Sequence, residues 1–170
     1  MITFILVSAQ ASAAQQTEEF FTVDLGIVAQ FRNLEFDYHP LGVTQMGYGR
    51  QRDNLYLHIF WGSLIGDEKW GSSDEEDSHR TPYIFGEFGY TDEFEFNSDY
   101  FWSASIGIGR VMDISDENKH FTSNNMYTQA LKIGYDKYYL SLRHMSNGQE
   151  ILGNPPPNYG RETITIGIKF

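Results

Sequence analysis

Near the C-terminus a histidine, a serine and a glutamate stand where ester chemistry becomes available to them. His144 and Ser146 close one alternating segment, and Glu162 opens the next, which runs through Thr163, Ile164, Thr165, Ile166, Gly167, Ile168 and Lys169 to Phe170. Side chains at i and i+2 of a strand share a face, roughly 6 to 7 Å apart, so His144 and Ser146 point the same way as Leu142, Leu140 and Tyr138. Glu162 shares its face with Ile164, Ile166, Ile168 and Phe170. If the two segments are antiparallel neighbours, the connection from 147 to 161 returns the chain so that Glu162 starts about where Ser146 ended. Ser, His and Glu can then meet on an otherwise apolar face. A serine hydroxyl becomes a useful nucleophile when an imidazole takes its proton and a carboxylate orients that imidazole.

The elements that must position these groups read as strands. Val23, Leu25, Ile27, Ala29 and Phe31 alternate with Thr22, Asp24, Gly26, Val28, Gln30 and Arg32, and Leu55, Leu57, Ile59 and Trp61 repeat the pattern. This is period two, not the helical period. Segments at 21–32, 42–50, 55–65, 81–91, 100–111, 126–135, 137–146 and 162–170 make eight, with the Gly-rich 42–50 the weakest in pattern. Connectors at 51–54, 91–97 and 136–137 are short, whereas those at 66–80, 112–125 and 147–161 are long and polar. Short turns at one end and long loops at the other are expected of an eight-stranded antiparallel transmembrane β-barrel with periplasmic turns and extracellular loops. With both termini periplasmic, His144, Ser146 and Glu162 fall at the outer-leaflet end.

Composition agrees with a single barrel domain over 15–170. The chain has 170 residues, with 11 Tyr, 13 Phe and 3 Trp to furnish interfacial girdles, and no Cys, so sheet closure rather than a disulfide framework must hold it. After the N-terminus there is no apolar run of about 18 residues, which excludes a helical membrane protein. Residues 1–14 pair an apolar stretch with Ala-rich small residues, the pattern of a signal peptide cleaved near Ala11 or Ala13. The missing positive n-region suggests a shortened start.

The segment His144-Met145-Ser146-Asn147, followed by Asn158-Tyr159-Gly160-Arg161-Glu162 and a short last strand ending in Phe, resembles the PagL family of outer-membrane lipid A 3-O-deacylases. Its pattern is His-x-Ser-Asn, a loop, then Asn-x-Gly-x-Glu. The resemblance covers the C-terminal stretch, and the loop departs from it in carrying Pro155-Pro156-Pro157. It implies an eight-stranded barrel with Ser146 as nucleophile, His144 as base and Glu162 as orienting acid on the outer surface. Asn158 then matches the family's oxyanion-stabilising Asn, and the Gly160 backbone N–H is a second donor to the tetrahedral oxyanion. The implied partners are lipid A or lipopolysaccharide and the surrounding membrane lipids, and the scheme needs no metal or organic cofactor. The oligomeric state stays open, with a homodimer among the options.

Other readings compete. Taken singly, Ser146-Asn147-Gly148 is turn chemistry, His144 an interfacial side chain and Glu162 a rim charge. A phospholipase or other esterase with the same nucleophile is one alternative, and a non-catalytic, adhesin-like surface barrel is another. An acyltransferase that holds its chain in the lumen would need inward-facing catalytic groups, against the parity observed. The cluster Asp67, Glu68, Asp74, Glu75, Glu76 and Asp77 lacks Ca²⁺-loop spacing and reads as a solvated loop. His58 has lumen parity and belongs to an interior polar network. His39, His79 and His120 have no partners at metal-ligand spacing. The Gly-x-Gly pairs at 47–49 and 107–109 lie inside strands and signal close packing. A net charge of −11 argues against nucleic acid and leaves anionic lipid A to be met by local Arg161 and Arg143, the latter of lumen-facing parity, or by bridging divalent cations of the lipopolysaccharide layer.

Overall fold

A computed structural model describes residues 17–32, 35–66, 79–112, 124–147 and 161–170, of which 29–32, 35–41 and 79 are described in backbone only. Eight strands form: β1 (Glu18–Arg32), β2 (Glu35–Arg52), β3 (Leu55–Gly66), β4 (His79–Phe94), β5 (Asn97–Val111), β6 (Asn125–Tyr135), β7 (Tyr138–Ser146) and β8 (Arg161–Lys169). Each pairs antiparallel with its neighbours in sequence, and β8 returns to β1 to close the barrel. The expected eight-stranded antiparallel barrel is thus the fold. Closure continues one residue past β8, where Phe21 and Phe170 exchange backbone hydrogen bonds of 3.2 and 2.9 Å. No helix among the described residues is long and apolar enough to cross a membrane.

The alternation sorts side chains in the sense opposite to a water-soluble sandwich. From Leu55 to Trp61 of β3 every second residue is exposed, and those exposed are Leu55, Leu57, Ile59 and Trp61, while Tyr56, His58 and Phe60 are buried. Elsewhere Leu25, Ile106, Ile133, Leu140 and Ile166 face out, whereas Asp24, Gln45, Glu87, Lys132 and Thr165 face in. Paired aromatics gather toward the short-turn end of the outer face, with ring centroids 5.2 Å apart for Phe21–Tyr48, 5.6 Å for Tyr90–Trp102 and 4.7 Å for Tyr100–Tyr135.

Two of the short turns, Asp53-Asn54 and Asp136-Lys137, start with an Asp at φ 53°. Asp tolerates this left-handed conformation because its short polar side chain bonds locally. One expectation needs correction at the other end. β2 starts at Glu35 rather than near 42, so only residues 33–34 separate it from β1. The obstacle to a continuous strand is Pro40, which has no N–H for the ladder. The pairing goes from Ile27↔Gly42 directly to Val28↔His39, so Pro40 and Leu41 form a bulge that needs no such bond.

The lumen is filled at mid-height. Phe20, His58, Phe60 and Phe85 stack in succession at centroid separations of 5.6, 5.4 and 5.5 Å. The Arg143 guanidinium lies 4.1 Å from the Phe60 ring centroid and forms an ion pair with Glu87, and it donates to Thr128 Oγ1 at 3.3 Å. His58 Nε2 is 3.0 Å from Thr22 Oγ1, and its Nδ1 is 3.8 Å from Glu87 Oε2, so His58 does belong to an interior polar network. Between this plug and the short turns, the void bordered by Phe20, Tyr56, Lys132 and Tyr139 is about 40 Å³.

Glycines allow this filling. A Cβ at Gly47 would strike the His58 ring, and one at Gly49 the Phe20 ring, in keeping with the close-packing reading of these positions. At Gly26 the obstacle is backbone, the Ile164 carbonyl oxygen and Thr165 Cα of β8, which cannot swing aside. Gly26→Val is therefore expected to cost about 1–3 kcal/mol at the closing seam. Gly86→Val, where a Cβ would meet nothing within 4 Å, should change stability by less than about 0.5 kcal/mol. Urea unfolding of the two variants in detergent micelles checks the contrast, and equal losses would discard it.

Candidate active site on the outer face

β7 and β8 are short strands of 9 residues each whose pairing sets the site. Leu142↔Ile164, His144↔Glu162 and Met145↔Arg161 are partners, so Glu162 stands opposite His144 rather than opposite Ser146 as expected from the loop. Direct opposition on one face brings Cβ atoms to about 4.5–5.5 Å, short enough for the two side chains to bond. His144 Nδ1 lies 3.1 Å from Glu162 Oε1, with the side chains 33% and 19% exposed. An imidazole protonated at Nδ1 donates that proton to Glu162 and leaves the Nε2 lone pair to accept another. Such a pair of nitrogens is what a serine base requires.

Ser146 lies two residues on from His144, on the same strand face, and is 5% exposed. Its partner across the sheet is Tyr127 of β6. The intervening residues turn inward: Arg143 is the buried partner of Glu87, Met145 joins the apolar core, and Arg161 is 1% exposed. Neither arginine is therefore available to an anionic lipid on the outer face. At the long-loop end, the outward-facing cations among the described residues are Arg80, which donates to Ser63 Oγ at 3.0 Å, and Arg110. Asn158 and Gly160 lie outside the described residues, as do Pro155–Pro157, the 67–77 acidic cluster, His120 and residues 1–14.

The sequence reading missed the far side of His144. Its partner on β6 is Gln129, which faces outward among Tyr127, Leu131 and Ile133. The signal was present, since Gln129 is a polar residue between Tyr127 and Leu131 on that strand's outward face. Beyond it a shallow outer groove of about 540 Å³ extends across β4 to β7, bordered by His144, Gln129, Leu142, Leu131, Ile106 and Phe88.

The arrangement gives a carboxylate-oriented imidazole two residues from a serine on the same strand face, beside an apolar trough. Comparison with protein-family models, with curated proteins and with solved structures finds no match to this chain.

Proposed function

We propose that this protein is an outer-membrane esterase of the PagL type, a lipid A 3-O-deacylase that removes the ester-linked 3-hydroxyacyl chain at the 3 position of lipid A. The observation that carries the reading is the His144–Glu162 contact at 3.1 Å, two residues before Ser146, on the apolar outer face of a closed barrel. Polar and ionisable groups on a lipid-facing surface are unfavourable unless they lie near the interface or serve a purpose. The apolar exterior, polar interior and paired aromatics at the short-turn end support placement in an outer membrane. The long-loop end then faces the outer leaflet, where lipid A resides. Arg80 and Arg110 are available there to meet its phosphates despite the net charge of −11.

In this scheme the ester carbonyl reaches Ser146 from the side on which His144 opens to the groove. His144 takes the Ser146 proton as Oγ attacks. The resulting imidazolium is stabilised by Glu162, and His144 returns the proton to the departing sugar oxygen. Water, activated by the same imidazole, then cleaves the acyl-serine and releases the fatty acid. Asn158 and the Gly160 N–H are the proposed oxyanion donors, and one such donor is worth about 100- to 1,000-fold in rate.

The test is mass spectrometry of lipid A from a Gram-negative host that expresses the folded protein. Loss of one 3-hydroxyacyl mass supports the reading. Unchanged lipid A, with free fatty acid released from phospholipid, would replace it with a phospholipase, and no change in either lipid would leave a non-catalytic barrel. Glu162→Gln keeps the shape but removes the charge that holds His144, and is expected to lower kcat on the order of 10²- to 10⁴-fold. A rate within about threefold of wild type would remove Glu162 from the mechanism.

A further inference from the structure

Gln129, a polar group on the outer face next to His144, is not used by the scheme above. The cross-strand pairings place Glu162, His144, Gln129, Ile106 and Phe88 in a single row across β8, β7, β6, β5 and β4. Gln129 is exposed in that row, one strand from His144 on the side away from Glu162. No side chain among the described residues bonds to its amide. It borders the same groove as His144, and apart from Tyr90, whose hydroxyl is engaged with Asn54 and Asp92, the other outward side chains there, among them Ala104, Ile106, Leu131 and Leu142, are apolar. The small Ala104, set between its partners Tyr90 and Leu131, deepens the floor of that groove. Its volume of about 540 Å³ falls within the range of small-ligand sites.

An amide with no side-chain partner among the described residues, level with His144 at the head of an apolar trough, is suited to read a polar substituent close to the scissile carbonyl of the proposed reaction. Neighbouring strands are about 4.8 Å apart, so Gln129 stands roughly that far from the His144 backbone. An acyl chain that leaves the His144 end of the site and enters the groove runs beside Gln129, which lines the groove with His144. The proposed substrate carries a hydroxyl on the third carbon of that chain, a group to which the amide can donate and from which it can accept. An unsubstituted chain would bury the amide without a partner, and sites built to bond a hydroxyl discriminate strongly against analogues that lack it.

We infer that Gln129 is a specificity-determining residue that binds the 3-hydroxyl of the acyl chain, with the groove from Leu142 to Phe88 holding the rest of that chain. The inference rests on the deacylase reading of the site. The experiment uses the full-length protein in detergent–lipid micelles and two glucosamine lipids, identical except that one carries 3-hydroxytetradecanoyl and the other tetradecanoyl at O-3. Wild type is expected to show a kcat/KM ratio of about 10 or more in favour of the hydroxyacyl ester. Gln129→Met, similar in length but without the amide, should bring that ratio close to one, and Gln129→Asn should restore part of it. A ratio is insensitive to the fraction of folded enzyme, so a structural defect alone would not move it. A wild-type ratio near one, or a Gln129→Met ratio equal to that of wild type, overturns the role of Gln129 while leaving the esterase intact. Cleavage of neither ester by wild type overturns the site reading itself, and this inference with it.

Discussion

Ser146→Ala is expected to abolish deacylation, lowering kcat by about 10⁴-fold or more while the barrel remains folded. The expectation follows from the division of labour at the site. In the proposed scheme His144 and Glu162 contribute only through the hydroxyl they would activate, and in triads of this kind loss of the nucleophile costs nearly as much as loss of all three groups. Folding should survive, because the change removes a single hydroxyl at the end of β7 and leaves the 144↔162 pairing untouched. Lipid A from cells producing the variant should match that of cells without the protein, while the variant migrates as a folded barrel in unheated detergent gels. A folded Ser146→Ala protein that deacylates within tenfold of the wild-type rate would rule out Ser146 as the nucleophile.

The second large effect concerns stability and lies inside the barrel. Arg143→Met removes the cation from Glu87, a carboxylate with a fully buried side chain. Breaking such a pair from one side leaves an uncompensated charge and typically costs about 3–5 kcal/mol. Replacing both members, with Arg143→Met and Glu87→Leu together, should recover most of that loss, since buried pairs often contribute little beyond an apolar pair of similar volume. The loss has a consequence for the site, because Arg143 adjoins His144 on β7 and anchors that strand from within. Urea unfolding in micelles, followed by tryptophan fluorescence, measures both variants. A single substitution costing under about 1 kcal/mol, or a double one costing more than the single, would contradict this account.

Much of the barrel could be read from alternation because its two faces differ so sharply in chemistry. Segments such as 55–65 place apolar residues on one parity and polar ones on the other, and β3 follows them almost residue for residue. The start of β2 escaped because Pro40 is a poor strand residue by any local rule. What rescues it is a bulge defined by β1, which lies in a different segment. Register was the other hidden quantity. Parity brought His144, Ser146 and Glu162 to one face, but whether Glu162 stands level with 144 or 146 depends on inter-strand hydrogen bonding, which loop length does not determine. Gln129 was missed for a related reason. His144 has two neighbouring strands, and although the short 136–137 connector makes 126–135 one of them, which of its residues stands level with His144 was not read from that hairpin. Arg161 shows the limit of proximity in sequence, since adjacency to Glu162 places it on the opposite face of β8.

The stack from Phe20 to Phe85, with Arg143 laid against Phe60, has a bearing on traffic. A barrel obstructed at its waist offers no route for solutes from one end to the other. Under the proposed function, substrate arrival and product departure are confined to the perimeter. If the proposed reaction takes place there, both are diffusion in two dimensions: a lipid drifts along the wall to β7, and the freed acyl chain escapes sideways among its neighbours. Turnover would then depend on the fluidity and crowding of the surrounding leaflet, a property of the membrane rather than of the protein.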